Sequence, residues 1–178
     1  MRRRLQEAAL ALYSQHGYDA TTAAEIAAEA GVTERTFFRH FPDKREVLFN
    51  GEEAFRAALA HAVAAVPEAT APLAVLRQAF PAVLPILQMN QPFAAPRFAI
   101  IAATPALRER EQAKIASFQQ AATEALRARG IPDRQATLAA QVGMAALAQA
   151  IRDWIRDPTA DFDALLTVAF RDLRELGL

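Results

Sequence analysis

The fold is decided by residues 22–48, TAAEIAAEAGVTERTFFRHFPDKREVL. Thr22 is a suitable N-cap for a short first helix, and Gly31 ends that helix because glycine adopts the left-handed conformation without a Cβ penalty. Thr33 is expected to cap a second helix, with Thr36 in place of the usual Glu or Gln of a capping box. Two short helices around such a turn predict a helix-turn-helix, whose second helix lies in the major groove of DNA.

The predicted second helix carries residue types that contact DNA. Phe37 and Phe41 lie four residues apart and are expected to anchor the helix to its core, which leaves Phe38 pointing outward. Arg35 and Arg39 are the predicted base readers, because arginine bonds O6 and N7 of guanine in a bidentate fashion. The full predicted DNA-binding set, with flanking basic residues and helix caps, is Arg3, Arg4, Thr22, Thr33, Glu34, Arg35, Thr36, Phe38, Arg39, His40 and Lys44.

This region resembles the TetR family of bacterial repressors. The matching pieces are Gly17-Tyr18, Thr21-Thr22, residues 27–32, Thr33, Thr36-Phe37-Phe38, His40-Phe41, Asp43-Lys44 and Leu48. The resemblance implies a homodimer that reads a palindromic operator in double-stranded DNA, and a C-terminal helical domain whose small-molecule effector releases the DNA. Many family members have Tyr where Phe38 stands, with its hydroxyl on a phosphate. The contact made by Phe38 is therefore expected to be weaker or purely apolar.

Composition narrows the class of protein further. The chain has 178 residues, no cysteine, and 20 basic against 20 acidic side chains. The absence of cysteine excludes disulfides and the common zinc-finger frameworks. Neither a signal-peptide core nor an uninterrupted apolar run of about 18 residues is found, which predicts a cytoplasmic protein without a membrane partner. The three histidines lie far apart in the sequence, and no metal-ligand spacing occurs. We therefore expect no catalytic activity, no bound metal and no cofactor.

The pattern along the chain predicts an all-α fold of about nine helices, since no segment alternates like a strand. A three-helix helix-turn-helix domain is expected over residues 1–50. A helical effector-binding and dimerisation domain is expected over residues 51–178. A long helix over residues 43–66 is expected to link the two domains and to transmit effector binding to the DNA-binding domain. Pro67 and Pro72 bracket a short linker, which is interpreted as the junction to the body.

An apolar pocket is predicted where prolines interrupt the stretch that follows. Each proline deletes a backbone donor and is expected to bend or break the helix, and gaps between helices are typical ligand sites. The four prolines are Pro81, Pro85, Pro92 and Pro96. The predicted lining is Phe80, Leu84, Leu87, Met89, Phe93, Phe98, Ile101, Phe118 and Trp154. Ordinary core packing stays open as the alternative. Arg97, Arg108 and Arg110 either form a solvated face or meet an anionic group of the ligand.

A dimer interface is predicted near the C-terminus. Residues 142–151 are apolar or glycine except at Gln149, and a helix that is apolar on all faces needs cover on all faces. One face is expected to pack on its own body and another on a second protomer, together with the amphipathic last helix. The predicted interface is Val142, Gly143, Ala146, Leu147, Ala150, Phe162, Leu166, Ala169 and Phe170.

The C-terminal part is loosely similar to the C-terminal domain class of mycofactocin-linked members of the family, in the run from Ile100 to Arg110 and in Arg152-Asp153-Trp154-Ile155. Some such members respond to acyl-CoA thioesters, which favours an apolar or amphipathic effector. The predicted function is therefore a sequence-specific, ligand-released repressor. The alternative is a ligand-independent helix-turn-helix adaptor or architectural protein, because a pocket cannot be proven from sequence.

Overall fold

The computed structural model describes residues 1–176, and within them the fold is all-α, as predicted. These residues form nine α-helices, named α1 to α9 in chain order, and two 3-10 helices. The α-helices are α1 (Arg2–His16), α2 (Ala23–Glu29), α3 (Glu34–His40), α4 (Glu52–Ala65), α5 (Pro72–Ala79), α6 (Leu84–Ala103), α7 (Pro105–Ala128), α8 (Asp133–Arg156) and α9 (Phe162–Glu175). The 3-10 helices are Glu46–Phe49 and Phe80–Val83.

The chain forms two compact units, each with its own hydrophobic core. The first unit contains Met1–Asn50 and Asn90–Lys114, and the second contains Gly51–Met89 and the residues from Ile115 onward. The two-domain prediction assigned residues 90–114 to the second domain. They belong to the first unit because side chains of α6 and α7 complete its core. The linker at residues 67–72 is not a junction, since both of its sides lie in the second unit.

The helix-turn-helix forms where the sequence predicts it. Thr22 begins α2 with a full capping box: its hydroxyl accepts from the Glu25 N–H at 3.2 Å, and the Glu25 carboxylate accepts from the Thr22 N–H at 2.7 Å. Gly31 has φ +66° in the turn. Phe37 and Phe41 are buried and hold α3 on the first core, as their spacing predicts.

The predicted continuous helix over residues 43–66 is wrong. Asp43 Oδ1 accepts from the backbone N–H groups two and three residues further on, at 2.7 and 3.1 Å, and a 3-10 helix follows instead of an α-helix. Asn50 is extended and Gly51 takes φ +92°, so α4 begins only at the next residue. Asn-Gly is a strong turn dipeptide, and this sequence signal was missed.

The prolines interrupt the helices less than predicted. Pro81 lies in the 3-10 helix between α5 and α6, and Pro85 occupies the first turn of α6, where no intrahelical N–H is needed. Pro92 and Pro96 lie inside α6, so the breaks predicted there are wrong. Both are exposed and four residues apart, which places the backbone groups that they leave unpaired on one solvated side of the helix.

The helical run Pro72–Ala103 is long and apolar enough, by length and composition, to cross a membrane, and 28% of its most apolar window is buried. Its two ends pack in hydrophobic cores. Val75 and Leu76 belong to the second core, and Ile100 and Ile101 belong to the first. Both ends of the run therefore pack like the core helices of a folded domain.

Candidate nucleic-acid interface

The outward side of α3 carries four long side chains, Glu34, Arg35, Phe38 and Arg39, all of them exposed. Within the described residues, neither Arg35 nor Arg39 makes a hydrogen bond or an ion pair with the protein. Their guanidinium donors are therefore available to a ligand. A recognition helix uses such donors for bidentate bonds to guanine.

Two threonines of the predicted DNA-binding set, Thr22 and Thr33, are helix caps, and the third, Thr36, is the hydrogen-bond partner of Thr33. Thr22 donates its hydroxyl to Glu25 Oε2 at 2.8 Å, and hydrogen bonds from the backbone and side chain of Thr22 hold the pKa of Glu25 below its usual value. Thr33 Oγ1 accepts from the Thr36 N–H at 3.2 Å, and the two hydroxyl oxygens of this pair lie 3.1 Å apart. These contacts fix the start of each helix of the motif.

Lys44 was predicted to bind a phosphate, but the structure shows its ammonium group bonded to backbone oxygens within the first unit. Nζ donates to the backbone oxygens of Tyr18 at 2.8 Å, Thr21 at 2.7 Å and Asp19 at 3.4 Å. It also lies 4.4 Å from the centroid of the Tyr18 ring. An ammonium group has three donors, and all three are used here. The backbone oxygen of Lys44 in turn accepts from the Tyr13 hydroxyl at 2.6 Å.

The arginines at the start of α1 are also largely engaged. Arg4 donates to the backbone oxygen of Ala30 at 2.6 Å and thereby caps the end of α2. Arg3 pairs with Glu7 at 3.2 Å, on an exposed face. Arg2, the neighbouring basic residue, donates to an oxygen of the Asn50 side chain at 2.9 Å. Of the predicted pair, Arg3 stays accessible, whereas Arg4 has a structural role.

Positive charge converges on the C-terminal end of α3. Desolvation, followed by the charges of Arg39, Arg2 and the amino terminus, holds the pKa of His40 below its usual value. This shift disfavours the protonated imidazole in the free protein. Cations that disfavour a protonated histidine favour a phosphate at the same place.

A second cluster joins residues that follow α3 to parts of α6 and α7 within the first unit. Arg110 makes a bidentate pair with Glu46, with distances of 2.8 and 2.9 Å. Arg97 donates to the backbone oxygen of Leu48 at 2.5 Å and pairs with Glu111. Both arginines therefore hold the 3-10 helix that follows the recognition helix. Arg97 and Arg110 therefore do not take the role of binding an anionic group of a ligand that the sequence left open. Arg108 is exposed.

Glu111 is the central acid of this cluster and also pairs with Lys114 at 2.7 Å. Burial raises the pKa of Glu111, but the charges of Arg97 and Lys114 and their hydrogen bonds more than offset that effect. The net result is a pKa below the usual value for glutamate. The side chain is thus held as a carboxylate that neutralises two cations next to the Phe49 ring.

The nine predicted pocket residues are not brought together. Phe93 and Ile101 belong to the first core, whereas Phe80 and Trp154 belong to the second. Leu84, Leu87 and Phe118 pack against the second core, and Met89 and Phe98 are exposed. The alternative of ordinary core packing thus describes most of the set. Aromatic spacing identified apolar faces but not which faces meet.

A cavity of about 370 Å³ lies elsewhere in the second unit, against α4 and α7. None of the nine predicted residues lines it. Its lining is Ala60, Ala64, Val66, Glu68, Ala125, Ala128 and Arg129. Arg129 donates to the backbone oxygens of Val63, Val66 and Pro67 at 2.9, 2.6 and 2.7 Å, so it ties the end of α4 to α7. Because alanines dominate the lining, residue type alone gave no signal for this cavity.

Most of the predicted dimer interface is buried inside the protomer. Leu147, Ala150, Phe162 and Leu166 lie in the core of the second unit, and Ala146 and Ala169 are also buried. A Cβ atom added at Gly143 would lie 2.6 Å from Cδ1 of Leu76, so Gly143 permits the close packing of α5 on α8. Phe170 is partly buried, 6.2 Å from the Phe80 ring, and Val142 is also partly buried. The faces of α8 and α9 that remain open carry Leu138, 52% exposed, and Val168, 41% exposed.

Comparisons with known proteins agree with this architecture. Residues 5–50 match the family described as "Bacterial regulatory proteins, tetR family", and residues 70–176 match the "MftR C-terminal domain". The chain is 41% identical over 76 residues to the HTH-type transcriptional regulator TcmR of Streptomyces glaucescens. That stretch is 43% of this chain and 34% of TcmR, so the chain matches about a third of that relative's length.

Two solved structures share the fold. SmeT, the repressor of the Stenotrophomonas maltophilia multidrug efflux pump SmeDEF, was solved with triclosan. It matches with a TM-score of 0.63 at 22% identity, over 96% of this chain and 90% of that one. FadR of Thermus thermophilus, solved with lauroyl-CoA, matches with a TM-score of 0.51 at 23% identity, over 96% and 92%. At these identities the likeness establishes the fold alone.

Proposed function

Because the chain belongs to the TetR family of bacterial regulatory proteins, we propose that it represses transcription as a homodimer on a palindromic operator and leaves the operator when a small molecule binds. The family is one of non-enzymatic, DNA-binding transcription regulators. The observation that carries the proposal is α3, anchored by Phe37 while Arg35 and Arg39 stay unpaired on its outward side. In this role Arg35 reads a base, and Arg39 approaches a phosphate together with Arg3 and His40.

Dimerisation is proposed through the open faces of α8 and α9. Leu138, Val142 and Ala145 follow one another at spacings of four and three residues, on a different side of α8 from the buried Gly143 and Leu147. Large exposed apolar side chains on adjacent helices suit a second copy of the chain. A two-fold axis there pairs two recognition helices, which a palindromic operator requires.

The effector is proposed to be apolar or amphipathic, and its binding to act on α4 and α7. The cavity on those helices is lined mainly by alanine and valine, with Glu68 and Arg129 as its charged groups. Triclosan and lauroyl-CoA, bound by the two structural relatives, are of this chemical kind. We propose that a ligand that enters there separates α4 from α7 against the Arg129 hydrogen bonds. That gives it the differential affinity for two states that release of DNA demands.

The test is selection of bound sequences from a random duplex pool by the purified protein, followed by titration of the selected duplex at two salt concentrations. A two-fold palindrome bound by two protomers is the expected result. Lauroyl-CoA and triclosan are then added to the complex as effector probes. Salt-sensitive binding without sequence preference would instead support the architectural alternative. A selected palindrome that no small molecule releases would support a ligand-independent adaptor.

A further inference from the structure

Phe38 is a large apolar side chain exposed on the outward side of α3. It is 50% exposed, and its ring packs edge-on against Phe37, with ring centroids 5.4 Å apart and an interplanar angle of 86°. Phe37 is fully buried, so the contact holds the inner edge of the Phe38 ring in place. The ring is therefore presented to the solvent in a defined orientation.

The position of Phe38 places it among the proposed base-reading residues. At about 100° per residue, Phe38 lies between Glu34 and Arg35 on the exposed arc of α3. Residues three apart along a helix are separated by roughly 4.5 Å along its axis, compared with roughly 3.4 Å between successive base pairs. The base nearest Phe38 therefore lies within about two base pairs of the base read by Arg35.

We propose that Phe38 reads the 5-methyl group of a thymine in each operator half-site. The inference rests on the proposed operator binding and deepens it by assigning one base. Phenylalanine has no hydrogen-bonding group, so Phe38 cannot bond a phosphate oxygen or a base edge as a tyrosine can. The thymine methyl is the apolar group that the major groove offers to such a side chain. Contact with it removes apolar surface of both partners from water.

The experiment uses the intact protein and the operator selected from the random pool. Each thymine is replaced in turn by deoxyuridine, which removes only the methyl group. Replacement of one thymine in one half-site is expected to weaken binding of the wild-type protein about fourfold, because one methyl group is lost from an apolar contact. Replacement in both half-sites is expected to weaken binding about sixteenfold. Phe38→Ala is expected to bind the thymine and uracil duplexes equally well. Phe38→Leu keeps a large apolar side chain without a hydrogen-bonding group and is the matched control, expected to stay methyl-sensitive.

The outcomes separate this contact from the proposed function. If no sequence is selected, both are contradicted. A selected operator that has no uracil-sensitive position within about two base pairs of the Arg35-dependent base contradicts the Phe38 contact alone. So does a Phe38→Ala variant that keeps the wild-type response to uracil, or one that weakens specific and random duplexes equally, because the ring then lies against the DNA backbone. Since Phe38 is half-exposed, thermal unfolding of Phe38→Ala verifies that the variant is folded.

Discussion

Replacement of Lys44 by Met is predicted to destabilise the first unit without removing a phosphate contact. Methionine keeps the apolar stem of the side chain and deletes the ammonium group. Two of the three carbonyl contacts, at 2.7 and 2.8 Å, have the geometry of strong hydrogen bonds, and the contact at 3.4 Å to Asp19 is weak. Hydrogen bonds to a charged group contribute about 1.5 to 3 kcal/mol each, and an aromatic ring adds about 0.5 to 1 kcal/mol.

The expected loss is smaller than the sum of these contributions. Lys44 is only partly buried, and water can hydrate the carbonyls of Tyr18 and Thr21 once the ammonium is gone. We therefore expect the variant to lose about 2 to 4 kcal/mol in the free energy of opening the first unit. That range corresponds to an increase of about 30- to 1,000-fold in the hydrogen exchange of protected amides in α2.

Two measurements decide between this role and a phosphate contact. Amide exchange in α2 reports on the first unit, whereas the fluorescence of Trp154, the only tryptophan, reports on the second unit and serves as an internal control. The salt dependence of operator binding is expected to be unchanged in Lys44→Met. In the control Arg39→Gln, the slope of log K against log salt is expected to fall by about 0.9 per protomer. A Lys44→Met variant with normal amide exchange and a slope reduced by that amount would refute the structural role.

Three further changes test other parts of the structure. Gly143→Leu is expected to destabilise the second unit by at least about 1 to 3 kcal/mol in urea unfolding, because even its Cβ meets Leu76; normal stability with loss of dimers would restore Gly143 to the interface. Leu138→Glu is expected to dissociate dimers in sedimentation at unchanged stability, and an unaltered mass would exclude that face. Glu111→Gln is expected to be less stable than wild type at pH 7. Because the pKa of Glu111 is lowered on folding, this difference is present above pH about 4.3 and disappears as the pH falls through the lowered value; a constant difference down to pH 2 would contradict the charge-based origin.

The reading motif was predictable because its signals are local. Thr22 and Thr33 cap the helices that directly follow them, and the turn between those helices depends on one glycine. The spacing of Phe37 and Phe41 fixes the buried face within a single helical turn. None of these inferences required knowledge of a distant part of the chain.

The role of Lys44 was not predictable in the same way. The carbonyls that bind its ammonium belong to residues 18–21, more than 20 positions earlier, and only the packing of α1 and α2 brings them to it. A lysine beside a DNA-binding helix suits either a phosphate or a backbone carbonyl. Sequence pattern cannot distinguish these partners, because both are oxygen acceptors for the same donor.

Most of the predicted dimer-interface residues are buried within the protomer, for a related reason. Residues 142–151 are apolar on two sides of α8, and periodicity cannot tell which side meets the protomer's own α5 and α9. Gly143 and Ala150 resemble small residues at an intersubunit contact, but they serve close packing inside the protomer. The large exposed residue, Leu138, lies outside the most apolar run. Small residues thus indicated a close approach between helices without identifying the helices.

The division of the molecule into two units suggests where an effector signal would travel. Helix α7 has its first half, up to Lys114, in the first unit and its second half in the second unit. The first half carries Arg110, paired with Glu46 next to the recognition helix, and the second half lines the cavity with Ala125 and Ala128. Helix α7 thus contributes residues to both units, whereas α4 begins after the turn at Gly51 and lies in the second unit alone. A ligand shifts an equilibrium only by its differential affinity for two states. For ligand binding to alter DNA binding, a displacement of α7 at the cavity must therefore change the ion pair between Arg110 and Glu46.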